Sequence, residues 1–250
     1  MNSKGRSGLV LGGNGFLGWN ACLKLLDAGW MVTAFDKNWD LSRSVSLPYE
    51  ETFNIIEGSV FDKDALQSAM ASMDAVFYLI SFTVPITTPR HMQTEIQTTL
   101  PALENVLSTM VEMDVPRIFF PSSGGTIYGE IDHRPARETD ELRPLSSYGL
   151  GKLLSEQIIR FYHRLHKIEY SIMRIANAYG AKRLERISQG LIDVFLEKYL
   201  AGEELVLWGD VDQVRDYIFV DDVMDAMLGL LDLEDPLSTI VNVGSGSGTS

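Results

Sequence analysis

Sulfur ligands and positive charge are both scarce in this chain of 250 residues. Cys22 is the only cysteine, which excludes an internal disulfide and a cysteine-rich zinc site. A reducing compartment suits such a chain, and a cytoplasmic location is expected. The four histidines (His91, His133, His163 and His166) show no ligand spacing. No metal is expected, and His163 and His166 read as part of a solvated helix face. Lys and Arg number 21 against 34 Asp and Glu, a formal net charge of −13. That field repels a polyanion and argues against nucleic acid as a partner. A small anionic substrate stays possible, because local arginines and helix N-termini can overcome a mean field. No apolar run approaches the roughly 20 residues that cross a bilayer, so no membrane span is expected. Met1 to Ser7 is polar and basic with no apolar stretch behind it, unlike a secretory signal. Repeats, low-complexity tracts and long linkers are missing too.

What is present is an ordinary globular composition, 45% hydrophobic and 22% charged. Strand-like apolar runs alternate with helical patterns. Strands are predicted at Gly8–Leu11, Met31–Phe35, Phe53–Glu57, Ala75–Ile80, Arg117–Pro121 and Tyr170–Arg174. Helices are predicted at Phe16–Ala28, Lys63–Ala71, Met92–Met113 and Ser147–His166. This alternation predicts an α/β fold, a Rossmann-type doubly wound parallel sheet covered on both faces. Ligands in such sheets bind beyond the carboxyl ends of the strands. After residue 180 the pattern loosens. Leu191–Leu200 and Val223–Leu233 read as helices, Leu205–Trp208, Asp216–Val220 and Ile240–Val243 as short strands. We therefore expect a binding domain over 1–180 and a smaller substrate lobe over 181–250, interleaved with late strands of the sheet. The chain ends in a glycine-rich turn followed by Thr249 and Ser250, good N-caps for a helix that does not follow. The lobe therefore reads as incomplete, as in a truncated form.

The first strand runs into Gly12-x-x-Gly15-x-x-Gly18 and then a helix. Gly12 permits a tight turn, Gly15 lets a pyrophosphate approach the backbone, and Gly18 lets the helix pack on the strand. The helix start at Phe16 and Leu17 attracts phosphate. Asp36, about 20 residues on, closes the second strand, where a carboxylate can accept both ribose hydroxyls. It would repel a 2′-phosphate, so NAD is favoured as cofactor, although nearby Lys37 and Arg43 leave NADP open.

Tyr148 and Lys152 lie four residues apart at the start of a predicted helix and so share a face. A free tyrosine is a poor base at neutral pH, but a neighbouring ammonium favours its phenolate. Such a pair can move a proton to or from a hydroxyl while nicotinamide moves a hydride.

Taken together, Gly12–Gly18, Asp36, Ser122–Gly129, Tyr148–Lys152, Arg174–Gly180 and Val214–Asp222 resemble the extended short-chain dehydrogenase/reductase family, in its nucleotide-sugar epimerase/dehydratase branch. The resemblance runs from Leu9 to the last residue. It implies catalysis by Tyr148, Lys152 and a hydroxyl after the fifth strand. The usual hydroxyl position is Gly124 here, and Ser123, one residue earlier, is expected to serve instead, with Thr126 also near the substrate. Cofactor contacts are expected at Val60, Asp62, Ile80 and Ser81 besides the glycine turn, Asp36, Lys37, Tyr148 and Lys152. Asn177 resembles a nucleotide-sugar contact and Arg215 the arginine that grips a diphosphate, unless it pairs locally with Asp212 or Asp216. Asp221 and Asp222 read as caps of the helix from Val223.

Departures stand at Ser59, where an adenine-binding Asp is usual, at Ile80-Ser81, where small residues are usual, and at Glu95 and Thr98, which replace Asn and Gly. The resemblance implies an NAD-dependent nucleotide-sugar 4-epimerase working through a transient 4-keto sugar with tightly bound NAD. A dehydratase, decarboxylase or 4-ketoreductase is the alternative, a dehydratase being disfavoured because Gly125-Thr126 supplies no carboxylate. A non-catalytic NAD-binding or sensory protein is the alternative of another class. The helices 92–113 and 147–166 could pair in a homodimer or serve the internal core.

Overall fold

The computed structural model describes residues 5–39, 49, 51–83, 91–131, 134–180, 190–204, 214–232 and 238–249. Ser7–Leu11 forms strand β1, buried at every position, and leads through the glycine turn into helix α1, Phe16–Asp27. Strand β2 (Met31–Asp36) and strand β3 (Phe53–Glu57) follow, then helix α2 (Lys63–Met70) and strand β4 (Ala75–Tyr78). Helix α3 (His91–Thr94) passes through a π-helical turn, Glu95–Thr99, into helix α4, Leu100–Glu112. Next come strand β5 (Arg117–Ser123), the short helix α5 (Gly124–Ile127), helix α6 (Ser147–His166) and strand β6 (Glu169–Ile175).

Five further elements complete the order: strand β7 (Asn177–Tyr179), helix α7 (Leu191–Ala201), strand β8 (Arg215–Phe219), helix α8 (Val220–Leu231) and strand β9 (Thr239–Val243). A short strand β10, Gly248–Thr249, closes the described chain.

Seven parallel strands form the main sheet in the order β3-β2-β1-β4-β5-β6-β9. Alternate side chains serve opposite faces. Leu9 and Leu11 join a cluster with Leu66, Leu103, Leu107 and Ile159 from α2, α4 and α6. Val10 joins the other, with Ala21, Leu25, Val223 and Met227 from α1 and α8. Two apolar layers sandwiching a parallel sheet give the doubly wound arrangement expected from the sequence. A second sheet has three strands in the order β10-β8-β7. β9, which lies after residue 180, pairs with β6 and belongs to the main sheet.

Local chemistry explains the boundaries. Asp62 caps α2, its Oδ1 accepting the Ala65 N–H at 3.1 Å, and Ser146 caps α6, its Oγ accepting the Gly149 N–H at 3.0 Å. The helix expected over 92–113 has the expected extent but not uniform winding. Pro101 lacks an N–H and its ring crowds the carbonyl four residues back, so the preceding turn widens. The Leu100 N–H reaches five residues back to Glu95 O.

Other expectations shift. Helix α8 begins at Val220 rather than Val223, and its N-cap is Phe219. Asp221 and Asp222 are therefore not caps; they occupy the first turn, where negative charge suits the helix dipole. Thr249 pairs antiparallel with Arg215 as part of β10. His163 is not on a solvated face: its Nδ1 lies 3.0 Å from both Ile168 O and Ser238 Oγ. The strand predicted at Leu205–Trp208, and Arg43, Asp212 and His133, fall outside the described residues.

Candidate active site

The carboxyl ends of β1, β4, β5 and β6 bring the expected site residues to one edge of the sheet. Gly12 turns with φ +84°, a left-handed conformation that suits glycine. Its N–H and that of Gly13 donate to Phe35 O at 2.8 and 3.3 Å, which ties the turn to β2. A Cβ on Gly18 would overlap the carbonyl oxygen of Gly12, so α1 can pack this close only with glycine there. Gly15 is the N-cap of α1 and supplies no side-chain cap. The first amides of α1, at Phe16 and Leu17, are thus left to an external acceptor, as an anion-binding helix start requires.

Asp36 is half-buried at the end of β2, and its Oδ2 accepts the Asn14 N–H at 3.0 Å. Its Oδ1 has no hydrogen-bond partner among the described residues. These features fit NAD: a cradle that glycine keeps open, uncapped helix amides and a carboxylate one strand away. Lys37 beside it is exposed. Val60 is buried, and Asp62 spends one carboxylate oxygen on capping α2. Ser59 Oγ turns back to accept the Phe61 N–H at 3.3 Å. Ile80 is half-buried, while the exposed Ser81 donates its hydroxyl to Thr83 O at 2.7 Å.

Helix α6 presents Tyr148 and Lys152 on one face, with the ammonium 5.5 Å from the centre of the tyrosine ring. Lys152 is 9% exposed; it donates to Pro121 O at 2.8 Å and lies over the Phe120 ring. Burial lowers its pKa from 10.5 to about 8, a fall opposed by Glu95 and Glu156. Tyr148 differs from the sequence expectation. Burial, aided by the Glu95 charge, pushes its hydroxyl up to about 12, so no ammonium-lowered phenol results.

Ser122 and Ser123 separate clearly. Ser122 Oγ donates to the buried Glu156 Oε1 at 2.5 Å and is committed to the core. Ser123, half-buried at the end of β5, makes no cap hydrogen bond to α5. A Cβ on Gly124 would stand 3.0 Å from Arg174 O, so a side chain there would need the β5–β6 edge to give by a few tenths of an ångström. Thr126 Oγ1 is buried without a hydrogen-bond partner among the described residues. Asn177 donates to Asp216 O at 2.8 Å and lies beside Gly125, whose added Cβ would meet its side-chain amide at 3.8 Å. Arg215 is exposed at the start of β8. Its neighbour Asp216 is engaged by the N–H groups of Ser245 and Gly246.

Sequence reading missed two features. Arg174 and Glu156 form a buried ion pair at 2.8 Å, with side chains 4% and 1% exposed. Arg174 also donates to Tyr128, whose hydroxyl donates to Asn242. The spacing of Lys152 and Glu156 on one helix face was the available signal. The second is Glu95, 1% exposed beside Tyr148 and Lys152, which sequence reading noted only as a departure.

Among the described residues no helix is long and apolar enough to cross a membrane, and no cluster of His, Cys, Asp or Glu could hold a metal.

A Methanocaldococcus jannaschii protein whose assignment as a UDP-glucose 4-epimerase is itself provisional is 33% identical over 245 residues, 97% of this chain and 78% of that protein. The dTDP-4-dehydro-6-deoxyglucose reductase of Escherichia coli is 29% identical over 98% of this chain and 78% of its own length. The crystal structure of UDP-glucose 4-epimerase from Thermotoga maritima with UDP-glucose superposes with a TM-score of 0.84, at 29% identity, covering 97% of this chain and 78% of that one. The model of the NAD-dependent epimerase/dehydratase family matches residues 8–244, and the chain belongs to that family.

Proposed function

We propose that this chain is a nucleotide-sugar 4-epimerase that keeps its NAD bound through the cycle. The observation that carries the reading is Tyr148 and Lys152 on one face of α6, with the Lys152 ammonium on Pro121 O, two residues before Ser123 at the end of β5. NAD, when bound, supplies the hydride acceptor and donor. The backbone of Gly12, Gly15, Phe16, Leu17 and Gly18 holds its diphosphate and Asp36 its ribose. Lys37, Val60, Asp62, Ile80 and Ser81 line the remainder of that site. Ser123 and Thr126 hydrogen-bond the sugar hydroxyl. Tyr148 takes the C4 hydroxyl proton and later returns it, with Lys152 holding positive charge nearby. The 4-keto sugar turns over in the site before reduction on its other face. Asn177 and Arg215 hold the nucleotide diphosphate, a guanidinium fork suiting paired phosphate oxygens.

We assign residues 1–180 to the NAD domain and 181–250 to the substrate lobe. A homodimer through the helical segments 92–113 and 147–166 is supported by the exposed apolar residues Ile96, Phe161 and Leu165 on them. Leu103 and Leu107 serve the internal core instead. The cytoplasm is the location that a lone buried cysteine suits.

Purified protein incubated with UDP-glucose or UDP-galactose and no added NAD is expected to interconvert a 4-epimer pair. No interconversion of any UDP-, GDP- or dTDP-sugar would refute the epimerase reading. One observation favours a 4-ketoreductase as second reading: the Tyr148 hydroxyl is pushed up, which suits a proton donor. Stoichiometric NADH consumption by a 4-keto sugar would select it. A dehydratase is disfavoured because the Gly125-Thr126 segment brings no carboxylate to the site.

A further inference from the structure

The buried carboxylate of Glu95 has no part in the reaction as described, yet the fold is built around it. Pro101 forces the helix to widen over Glu95–Thr99, and that π turn carries Glu95 inward until it is 1% exposed. One carboxylate oxygen, Oε1, accepts the hydroxyl of Thr83, itself buried. The other, Oε2, rests on Gly151, where a Cβ would overlap it. Gly151 lies between Tyr148 and Lys152 on α6, so the absent side chain is what lets the carboxylate pack against the helix at this point.

The ionisable groups whose charge balance Glu95 enters are Tyr148 and Lys152 from α6 and Tyr78 from β4. Glu156, one turn further along α6, also acts on Lys152, but its oxygens are held by Arg174 and Ser122.

The geometry points to Glu95 as a positioning residue: its buried carboxylate, fixed by Thr83 and packed on Gly151 between Tyr148 and Lys152, sets the charge around that acid–base pair and so its proton balance. This inference rests on the reading of Tyr148 and Lys152 as the acid–base pair. A fixed negative charge repels a nascent phenolate and attracts an ammonium, so both effects favour the proton-loaded form. Burial alone would discharge Lys152, and Glu95 opposes that. It also adds to the burial that keeps the Tyr148 proton on.

The test needs no turnover. Ionisation of Tyr148 is followed by tyrosinate difference absorbance in the full chain saturated with NAD, with the Tyr148→Phe titration subtracted. Glu95→Gln is expected to lower the Tyr148 midpoint by about one pH unit or more, the size of one carboxylate at close range. Glu95→Asp, which keeps the charge, is expected to stay near wild type. Glu95→Asn serves as the neutral variant should the glutamine not pack. An unmoved midpoint in the neutral variant would overturn the inference, as would an equal shift in Glu95→Asp. Failure of the acid–base reading itself would appear differently, as turnover that survives Tyr148→Phe.

Discussion

Replacing Glu156 by alanine removes half of a buried ion pair on which the site edge depends. Glu156 Oε1 accepts from Arg174 Nε at 3.0 Å and from Ser122 Oγ at 2.5 Å, while Oε2 accepts from Arg174 Nη2 at 2.8 Å. Truncation leaves a guanidinium with a side chain only 4% exposed to carry its charge without a counter-ion. Breaking such a pair costs about 3–5 kcal/mol, because the remaining charge is desolvated and unpaired. At about 2–4 °C per kcal/mol for a chain of this size, the melting temperature should fall by roughly 6–20 °C.

The comparison is Glu112→Ala, which breaks the exposed Lys63–Glu112 pair, side chains 62% and 40% exposed. That loss should stay within about 1 kcal/mol. Differential scanning calorimetry or denaturant unfolding at one pH measures both variants. The double variant Arg174→Met/Glu156→Leu should recover most of the loss, since neither charge is then stranded. A Glu156→Ala cost no larger than that of Glu112→Ala would refute this reasoning.

Gly18→Ala must push the Gly12 carbonyl aside, so stability should drop by about 1–3 kcal/mol and NAD affinity should fall with it, as read by calorimetric titration. Lys152 titrates at about 8 in the fold against an ordinary 10.5, so the unfolded chain binds more protons between these values. Stability should therefore rise with pH from about 8 to 10.5, and Lys152→Met should flatten that rise in unfolding curves while abolishing turnover. Asp62→Ala removes the α2 cap and should cost about 1 kcal/mol by urea unfolding.

The parallel sheet was legible because its strands are almost wholly apolar and its helices carry clear periodicity. The glycine turn was legible because strand, spacing and Asp36 all agree. Tyr148, Lys152 and Asn177 stood out through their motifs, and the structure brings them to one edge. Three things were not legible, each for a physical reason. The altered proton balance of Tyr148 depends on Glu95, more than fifty residues away, and on burial that no spacing reveals. The capture of the Ser122 hydroxyl by the buried Glu156 carboxylate, 34 positions along the chain, is something no spacing reveals. The short strand β10 was not foreseen, because Gly248 and Thr249 carry no apolar alternation and their pairing with β8 is a contact made only in the folded chain. Pro101 was in plain sight as the cause of the π turn; a proline inside a long helical pattern signals a local rewinding.

The most direct measurement follows a nucleotide sugar carrying deuterium at C4 through turnover without added NAD. Retention of the label at C4 of the inverted product, with at least a hundredfold loss of kcat in Tyr148→Phe, is the expected result. Label washed into solvent, or inversion that survives loss of the Tyr148 hydroxyl, would contradict a bound hydride carrier served by Tyr148 and Lys152.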